Sequence, residues 1–422
     1  MLEALKGTVI HAPKLGEIEV FEDAYLLARD GAVEGVFPVL PEGCVPERLN
    51  DFTGKLIIPA FTDLHLHAPQ YAMLGMGMDL PLIEWLNTYT FKTEALFADP
   101  AFARSVYGIL ANNLIRLGTT RVSIYASIHR QSAHILMEEL ERVGVTGLVG
   151  KVNMDRNTAP ELTETVEESL SETRRFIEEC RKRKYRHLSP ILTPRFTPSC
   201  SDALLEGLAK IADEYGVPIQ SHLSENDVEI ELVRKLCPDC PQYWESYAKR
   251  GLWRGNTIMA HCVHSDERER AAIKQAGVWV AHCPDSNTNI YSGVAPVRRM
   301  LNEGIRVALG SDIAGGAKLS MFHGMGEAIR ASKLRYFYSG KNEEDRFLTV
   351  AEAFYLATSA GAQYFGAGPG FQKGDMLHAV VLSDEMLPPS RKLVTRERLE
   401  RLIYADDPRS VKAVWSEGIR RV

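Results

Sequence analysis

Short apolar runs alternate with longer amphipathic segments along most of the chain, from about residue 56 onward. Eight such runs occur, at 55–67, 119–126, 146–154, 188–196, 217–225, 256–264, 277–287 and 306–312. Between them, apolar residues recur every three or four positions, as Val106, Leu110 and Leu114 do in one segment. Buried parallel strands alternating with helices give this pattern, so the sequence predicts an α/β fold with a (β/α)8 TIM-type barrel over residues 56–367.

The two ends of the chain have a different pattern. Residues 1–55 contain short strand-like runs separated by Gly and Asp turns, and a similar patch returns in PGFQKGDMLHAVVLSD. Because the termini of a domain often lie close in space, these segments are expected to pair with each other. The sequence therefore predicts a small discontinuous β-sandwich domain built from residues 1–55 and 368–422.

Composition and charge narrow the class of partner. The 422 residues carry a formal net charge of -6 and no long basic run, which gives no electrostatic footprint for nucleic acid or an anionic membrane. The N-terminal segment mixes acidic with apolar residues and resembles neither a signal peptide nor a membrane span. The seven cysteines are scattered, unlike a secreted disulfide framework. We expect a cytoplasmic protein that acts on a small molecule.

Candidate metal ligands stand near the ends of four of the eight runs. They are His65 and His67 in the first run, His222 in the fifth, His261 in the sixth and Asp312 in the eighth. Two positions apart in a strand, His65 and His67 point to the same side and can bind one ion. The carboxyl ends of barrel strands meet at one rim, so these side chains are expected to converge there.

This set of ligands predicts hydrolysis. Three histidines and a carboxylate leave room for water on a divalent metal, which lowers the pKa of that water to about 7. His261 has two open roles, since it either binds the metal or hydrogen-bonds to the water. His264 is a weaker candidate for the ligand set, and His282 is expected to lie outside it. Glu225 is placed to carry protons, although an ordinary acid at a helix N-terminus would give the same pattern.

Several further motifs resemble those of a known superfamily. They are HAPQY at 67–71, DLPLIEWLNTYTF at 79–91, KVNMD at 151–155, TPRF at 193–196, SHLSEN at 221–226, HCPDSN at 282–287 and GSDIAGG at 310–316. With the HxH pair, they make the chain similar to the amidohydrolase superfamily, and within it most similar to the guanine deaminases. The resemblance implies one Zn²⁺ ion held by the residues that match the family's ligands, which are His65, His67, His222 and Asp312, with His261 at or next to it.

The resemblance also implies a substrate, guanine, and the residues that bind it. Gln70, Arg195 and Phe196 are expected to bind the purine. Trp85 and Leu82 would add apolar cover, and a role in packing alone is equally open for them. An amide and a guanidinium suit the edge of guanine, which presents a carbonyl oxygen and ring nitrogens, and an aromatic face can cover the ring.

The reaction that follows as a hypothesis is hydrolytic deamination of guanine to xanthine and ammonia. Asp312 takes a proton from the attacking water, and Glu225 protonates the ring nitrogen beside the amino-bearing carbon. His261 orients the nucleophile and stabilises charge on it. Nitrogen and oxygen ligands suit iron as well as zinc, so Fe²⁺ is an alternative to Zn²⁺. The resemblance further implies a homodimer.

Two other functions stay open from the sequence. One is deamination or hydrolysis of a different amino-heterocycle, such as an adenosyl compound, a pterin or a triazine; Gln70 and the Arg195–Phe196 pair favour guanine. The other is a barrel without catalytic activity that serves as a scaffold. Such a scaffold has no need of metal ligands and a proton carrier, and this chain has the whole set.

Overall fold

A computed structural model describes residues 1–422 and contains seventeen strands and fifteen α-helices. The strands are β1 (Leu2–His11), β2 (Glu19–Arg29), β3 (Ala32–Phe37), β4 (Arg48–Pro59), β5 (Phe61–His67), β6 (Thr119–Tyr125), β7 (Thr146–Gly150), β8 (Val152–Asn153), β9 (Leu188–Pro190), β10 (Thr193–Pro194), β11 (Ile219–Leu223), β12 (Thr257–His261), β13 (Trp279–His282), β14 (Arg306–Leu309), β15 (Ala379–Leu382), β16 (Val411–Ser416) and β17 (Ile419–Arg420). All eight apolar runs therefore contain strands, and the α/β fold expected from the sequence is confirmed.

The helices lie mostly between these strands. They are α1 (Leu82–Trp85), α2 (Phe91–Ala95), α3 (Pro100–Arg116), α4 (Arg130–Val143), α5 (Val166–Arg183), α6 (Asp202–Tyr215), α7 (Asp227–Leu236), α8 (Tyr243–Ala248), α9 (Glu267–Ala276), α10 (Pro284–Asn289), α11 (Val297–Asn302), α12 (Met321–Tyr338), α13 (Val350–Tyr355), α14 (Gly361–Tyr364) and α15 (Thr395–Ala405). None of them combines the length and the apolar character that crossing a bilayer would require.

Eight of the strand regions form two parallel sheets. The orders are β5-β6-β7-β9 and β11-β12-β13-β14, and a short pair, β8 and β10, adds to them. A parallel bridge between Leu192 and Ile219 joins the two sheets on one side. On the other side, the amide of Asp312 donates to the carbonyl of His65 at 2.8 Å. The two sheets are thus linked on both sides, as the predicted barrel requires.

Two of the apolar runs are split into pairs of short strands. The run at 188–196 divides into β9, which ends at Pro190, and β10, which ends at Pro194. Proline has no amide hydrogen to donate to a strand ladder, so pairing is interrupted where it occurs. Arg195 and Phe196 follow directly after β10.

The strands from the two chain ends pair in one continuous sheet. Its order is β17-β16-β15-β4-β1-β2-β3, with β15 antiparallel to β4 and β1 parallel to β4. A separate apolar cluster, which includes Leu5, Ile57 and Trp415, fills one side of this sheet, while the large core cluster lies among the parallel strands and helices. The pairing of the two terminal segments expected from the sequence therefore occurs.

Helix α3 illustrates how local sequence sets these boundaries. The Asp99 carboxylate accepts a hydrogen bond from the amide of Ala101 at 2.8 Å, which caps the N-terminus. The helix ends at Arg116, and Gly118 follows with a φ of 85°. A Cβ at Gly118 would lie 2.8 Å from Val380 Cγ2, so glycine also permits close packing against β15 of the terminal sheet.

Candidate metal centre and active site

Five side chains predicted as ligands converge at the carboxyl ends of the parallel strands. The ligand atoms of His65, His67 and Asp312 lie within 4.8 Å of one another, and so do those of His65, His222 and His261. Asp312 Oδ1 is 3.2 Å from His65 Nε2 and 3.4 Å from His67 Nε2. All five residues are buried. The structure therefore brings together the whole set, from β5, β11, β12 and the loop after β14.

The chemistry of these donors fits a metal ion. His222 donates its Nδ1 hydrogen to the Arg195 carbonyl at 2.5 Å, which leaves the Nε2 lone pair free. That lone pair points at His67 Nε2, 3.1 Å away. Ligand nitrogens around one tetrahedral zinc are roughly 3.3 Å apart. His65 Nδ1 is buried without a hydrogen-bond partner, and the Asp312 carboxylate lies 3.2 Å from His65 Nε2. Buried acceptor nitrogens that face one another without a proton between them are stabilised by a cation.

His261 and Glu225 lie beside this cluster. His261 Nε2 is 3.5 Å from Glu225 Oε2 and 3.7 Å from Asp312 Oδ2. Its other ring nitrogen, Nδ1, donates to Asn287 Oδ1 at 2.8 Å, so Nε2 is free to accept a hydrogen bond or to bind a metal. Glu225 Oε1 is buried and has no partner in the protein. Both roles considered for His261 are geometrically open.

Sharp turns after the strands direct these side chains toward the rim. Ser224, His261 and Asp312 have φ values of 46°, 72° and 47°, in the left-handed region that non-glycine residues rarely adopt. Such conformations cost about 1–3 kcal/mol each and are concentrated at functional sites. Nearby, a Cβ at Gly310 would lie 2.9 Å from His65 Cβ, so the absence of a side chain lets the end of β14 approach β5.

The buried environment sets the protonation states of the cluster. Burial lowers the pKa of His67 and of His222 well below the ordinary value, and it lowers the pKa of His261 to about 4. Burial alone would raise the pKa of Asp312, but its hydrogen bond to His65 and the nearby charge lower that pKa below the ordinary value. Neutral imidazoles and an ionised carboxylate are the forms that bind a cation.

Glu225 has the opposite electrostatic setting. Burial raises the pKa of Glu225 well above the ordinary value, and the negative charges of Glu229 and Asp312 raise it further. Glu229 lies one helical turn farther along the chain, where its Oε2 accepts a hydrogen bond from the Glu225 amide at 2.9 Å. A carboxyl group that holds its proton near neutral pH can act as a proton donor.

A pocket opens above the cluster. Its lining includes every residue predicted to bind the substrate, namely Gln70, Leu82, Trp85, Arg195 and Phe196. Leu86 and Ile290 also line it and had not been identified from the sequence. Most of the wall away from the cluster is apolar or aromatic. The pocket thus suits a small, flat ligand.

Two acidic residues with clear roles in the site were missed by sequence reasoning. Asp63, on β5, accepts hydrogen bonds from the amide and the hydroxyl of Ser311, which precedes Asp312. Glu94, on α2, accepts hydrogen bonds from Gln70 and Arg195. Both acids are buried. An acidic residue within an apolar run, as Asp63 is in PAFTDLHLH, was the signal that could have indicated the first of them.

The other histidines considered as ligands lie outside the cluster. His264 Nε2 bonds to the carbonyl of Ser292 at 2.9 Å, and none of the groups of converging metal-ligand atoms includes it. His282 is buried near His261, whose charge adds to the effect of burial in lowering the His282 pKa to about 3. It too is absent from the converging groups.

Comparison with known proteins supplies the family. The Amidohydrolase family profile matches residues 56–420. The chain belongs to the amidohydrolase family. This amidohydrolase is 37% identical to a guanine deaminase of Dictyostelium discoideum over 380 residues, which are 86% of this chain and 84% of that protein. It is 34% identical to a guanine deaminase of Mus musculus over 437 aligned positions, covering 98% and 95% of the two chains.

A solved structure is similar over the whole length of this amidohydrolase. It is a guanine deaminase from C. acetobutylicum with guanine bound in its active site. The two chains are 42% identical, each is covered to 100%, and the TM-score is 0.96. The similarity therefore extends over both the parallel strands and the terminal sheet.

Proposed function

We propose that this amidohydrolase is a guanine deaminase, which hydrolyses guanine to xanthine and ammonia. One observation carries the proposal: the pocket holds a metal-ligand cluster and a proton carrier at one side and Gln70, Arg195 and Phe196 at another. A purine bound to Gln70, Arg195 and Phe196 would therefore have its ring next to the metal-ligand cluster and Glu225. The full-length relatives named guanine deaminase support the same substrate.

The metal proposed for this site is one Zn²⁺ ion, held by His65, His67, His222 and Asp312. When bound, a divalent metal supplies a water whose pKa is lowered to about 7. Fe²⁺ would suit the same nitrogen and oxygen donors. We assign His261 to the water rather than to the metal, because its Nε2 faces Glu225 Oε2 and Asp312 Oδ2 in the pocket wall.

The protein groups then divide the proton transfers. Asp312 accepts a proton from the attacking water through Oδ2, the oxygen that faces His261. Glu225 delivers a proton to the ring nitrogen next to the amino-bearing carbon, which neutralises charge as the carbon becomes tetrahedral. The proton taken up by Asp312 then moves to the amino group while the ionised Glu225 accepts the proton of the new hydroxyl, so that ammonia leaves and the carbonyl of xanthine forms. His261 holds the attacking oxygen in line and stabilises its charge.

The remaining wall binds and covers the purine. Arg195 and Gln70 present hydrogen-bonding groups to the ring edge, and both are at most 3% exposed, so the hydrogen bonds would form away from bulk water. Phe196, Trp85 and Leu82 are buried apolar groups that cover the ring faces. A buried polar edge discriminates strongly, because a ligand without the matching groups leaves the protein atoms unpaired.

A substrate panel with metal analysis tests the proposal. Purified protein would be assayed for ammonia release from guanine, adenosine, a pterin and an amino-triazine, with zinc and iron measured in the same preparation. We expect guanine to be turned over and about one metal ion per chain. If another amino-heterocycle is deaminated and guanine is not, the protein is a deaminase with a different substrate. If the metal-loaded protein is inactive on the whole panel, the scaffold alternative is favoured.

Four further expectations belong with this proposal. The chain is expected to act in the cytoplasm, in purine catabolism or salvage, and as a homodimer. Its division into a β-sandwich domain of residues 1–55 and 368–422 and a barrel domain of residues 56–367 is likewise our proposal. Light scattering at known concentration would check the oligomeric state.

A further inference from the structure

We propose that Glu94 makes the substrate-recognition end of the pocket electrically neutral, so that the site prefers a neutral purine to an ionised one. The inference rests on the proposed function and adds a determinant of specificity to it. Glu94 lies on α2, in the segment between β5 and α3, and its side chain is fully enclosed. It does not line the pocket itself, so its effect on a ligand is exerted through its neighbours and its charge.

The Glu94 carboxylate joins the two polar residues that face the substrate. Its Oε2 accepts a hydrogen bond from Arg195 Nη1 at 2.6 Å, and its Oε1 accepts one from Gln70 Nε2 at 3.0 Å. All three residues are at most 3% exposed. A short, buried contact of this kind between guanidinium and carboxylate is among the stronger hydrogen bonds in proteins.

These contacts fix the orientation of the Gln70 amide. Gln70 Oε1 accepts a hydrogen bond from the amide of Ala314 at 3.1 Å, while Nε2 donates to Glu94. A flipped amide would place a donor against the Ala314 amide and an acceptor against the carboxylate, and both contacts would be repulsive. One hydrogen on Nε2 and one lone pair on Oε1 remain for a ligand. Glu94 therefore decides which polarity Gln70 shows to the purine.

The same carboxylate balances the charge of Arg195. The guanidinium is permanently ionised, and Glu94 is its one ion-pair partner in the protein. The Arg195 guanidinium also lies over the ring of Phe91, 5.3 Å from the ring centroid. Without Glu94, the Arg195 charge would be buried and unpaired, and an anionic ligand would relieve that cost. With Glu94 present, the charge of Arg195 is already compensated, and a carbonyl oxygen of a neutral ring is a sufficient hydrogen-bond acceptor for it.

The charge balance between Glu94 and Arg195 also affects the release of the product. Xanthine, the product of the proposed reaction, loses a proton more readily than guanine does. At the recognition end the ionised product would meet an Arg195 guanidinium whose charge is already offset by the Glu94 carboxylate. A pocket with this charge distribution binds the neutral substrate and releases the ionised product, which limits inhibition by product.

The test compares two oxopurines of similar shape at pH 8, where xanthine is largely anionic and hypoxanthine is largely neutral. Calorimetry on the metal-loaded protein would give Kd for both ligands in the wild type, in Glu94→Gln and in Glu94→Gln/Arg195→Met. In Glu94→Gln we expect the ratio of the xanthine Kd to the hypoxanthine Kd to fall at least about tenfold, because an unbalanced guanidinium attracts the anion at an effective dielectric near 20. In the double variant, which removes both charges, the ratio should return to within about threefold of the wild type.

A matched control is Glu352→Gln. Glu352 is buried and pairs with Arg298 at 2.7 Å through both oxygens, but it does not line the pocket. Glu352→Gln should leave the ratio of the xanthine Kd to the hypoxanthine Kd unchanged. Equal changes in both Kd values for Glu94→Gln would mean that Glu94 is only structural, and the inference would be wrong. Guanine turnover by the wild type is measured separately, so a protein without that turnover but with the expected change in ratio would overturn the proposed function alone.

Discussion

Asp63 accepts two hydrogen bonds from Ser311, one from its amide at 2.9 Å and one from its hydroxyl at 2.5 Å. The first residue lies two positions before His65, and the second directly precedes Asp312. The two hydrogen bonds therefore connect β5 to the loop after β14, across the junction between the two parallel sheets. These two segments carry the proposed ligands His65, His67 and Asp312. This contact holds the two strand ends that carry the proposed metal ligands in register.

Removal of the Asp63 carboxylate should weaken metal binding. In Asp63→Ala, we expect metal affinity to fall about 10- to 100-fold, as for other residues that orient ligands. Competition with a chelator, followed by metal analysis, would measure it. The control is Asp345→Ala, which removes a buried carboxylate paired with Arg299 and Arg335 outside the pocket. Equal loss of metal in both variants would show that general destabilisation is the cause.

His67 and His261 should differ in what they contribute. We expect His67→Ala to lose most of its metal, because its Nε2 faces both His222 and Asp312. We expect His261→Asn to retain the metal but to lose at least about 100-fold in kcat, the size of effect seen when a group that stabilises developing charge is removed. Metal content and ammonia release from the same preparations check this. Parallel metal loss in the two variants would instead make His261 a ligand.

Replacement of the proton carrier should affect chemistry more than binding. Glu225→Gln keeps the size of the side chain but cannot deliver a proton as a carboxylic acid does. We expect kcat for guanine to fall about 10²- to 10⁴-fold with metal content intact. Glu139→Gln, a buried acid paired with Arg104 and Arg142, is the control and should remain active. Near-normal turnover in Glu225→Gln would rule out the assignment.

The His323–Asp285 pair predicts a dependence of stability on pH. His323 Nε2 lies 3.0 Å from Asp285 Oδ2, and this hydrogen bond raises the pKa of His323 above its ordinary value of 6.5. The pair therefore contributes its full stability below the unfolded-state pKa, and the contribution is lost as pH rises through the folded-state pKa. We expect His323→Gln to lower the free energy of unfolding by about 1 to 2 kcal/mol at pH 5.5 and by less at pH 8.5.

Urea denaturation at the two pH values measures this difference. His134 supplies a control with the opposite sign, because burial, together with the charge of Arg183, lowers its pKa. Its contribution to stability falls as pH decreases below 6.5, so His134→Gln should cost less at pH 5.5 than at pH 8.5. The same trend in both variants would contradict the predicted origin of the effect.

Local pattern was sufficient for much of this protein. Continuous apolar runs identified the eight strand regions because a strand buried on both faces has few polar positions. The convergence of His65, His67, His222 and Asp312 was predictable for a related reason: polar side chains at the end of an apolar run have few roles other than facing a rim. Motif likeness added the residues that line the pocket, including Gln70 and Arg195.

Tertiary structure decided the contacts that no spacing encodes. Glu94 meets Arg195 across 101 positions of chain, and Asp63 meets Ser311 across 248, so neither pairing leaves a periodic signal. Hydrophobic periodicity reports which face of an element is buried, but it does not report which buried acid faces which buried base. That choice depends on how the strands and helices pack in three dimensions, because a buried charge is tolerated only where a partner from another element reaches it.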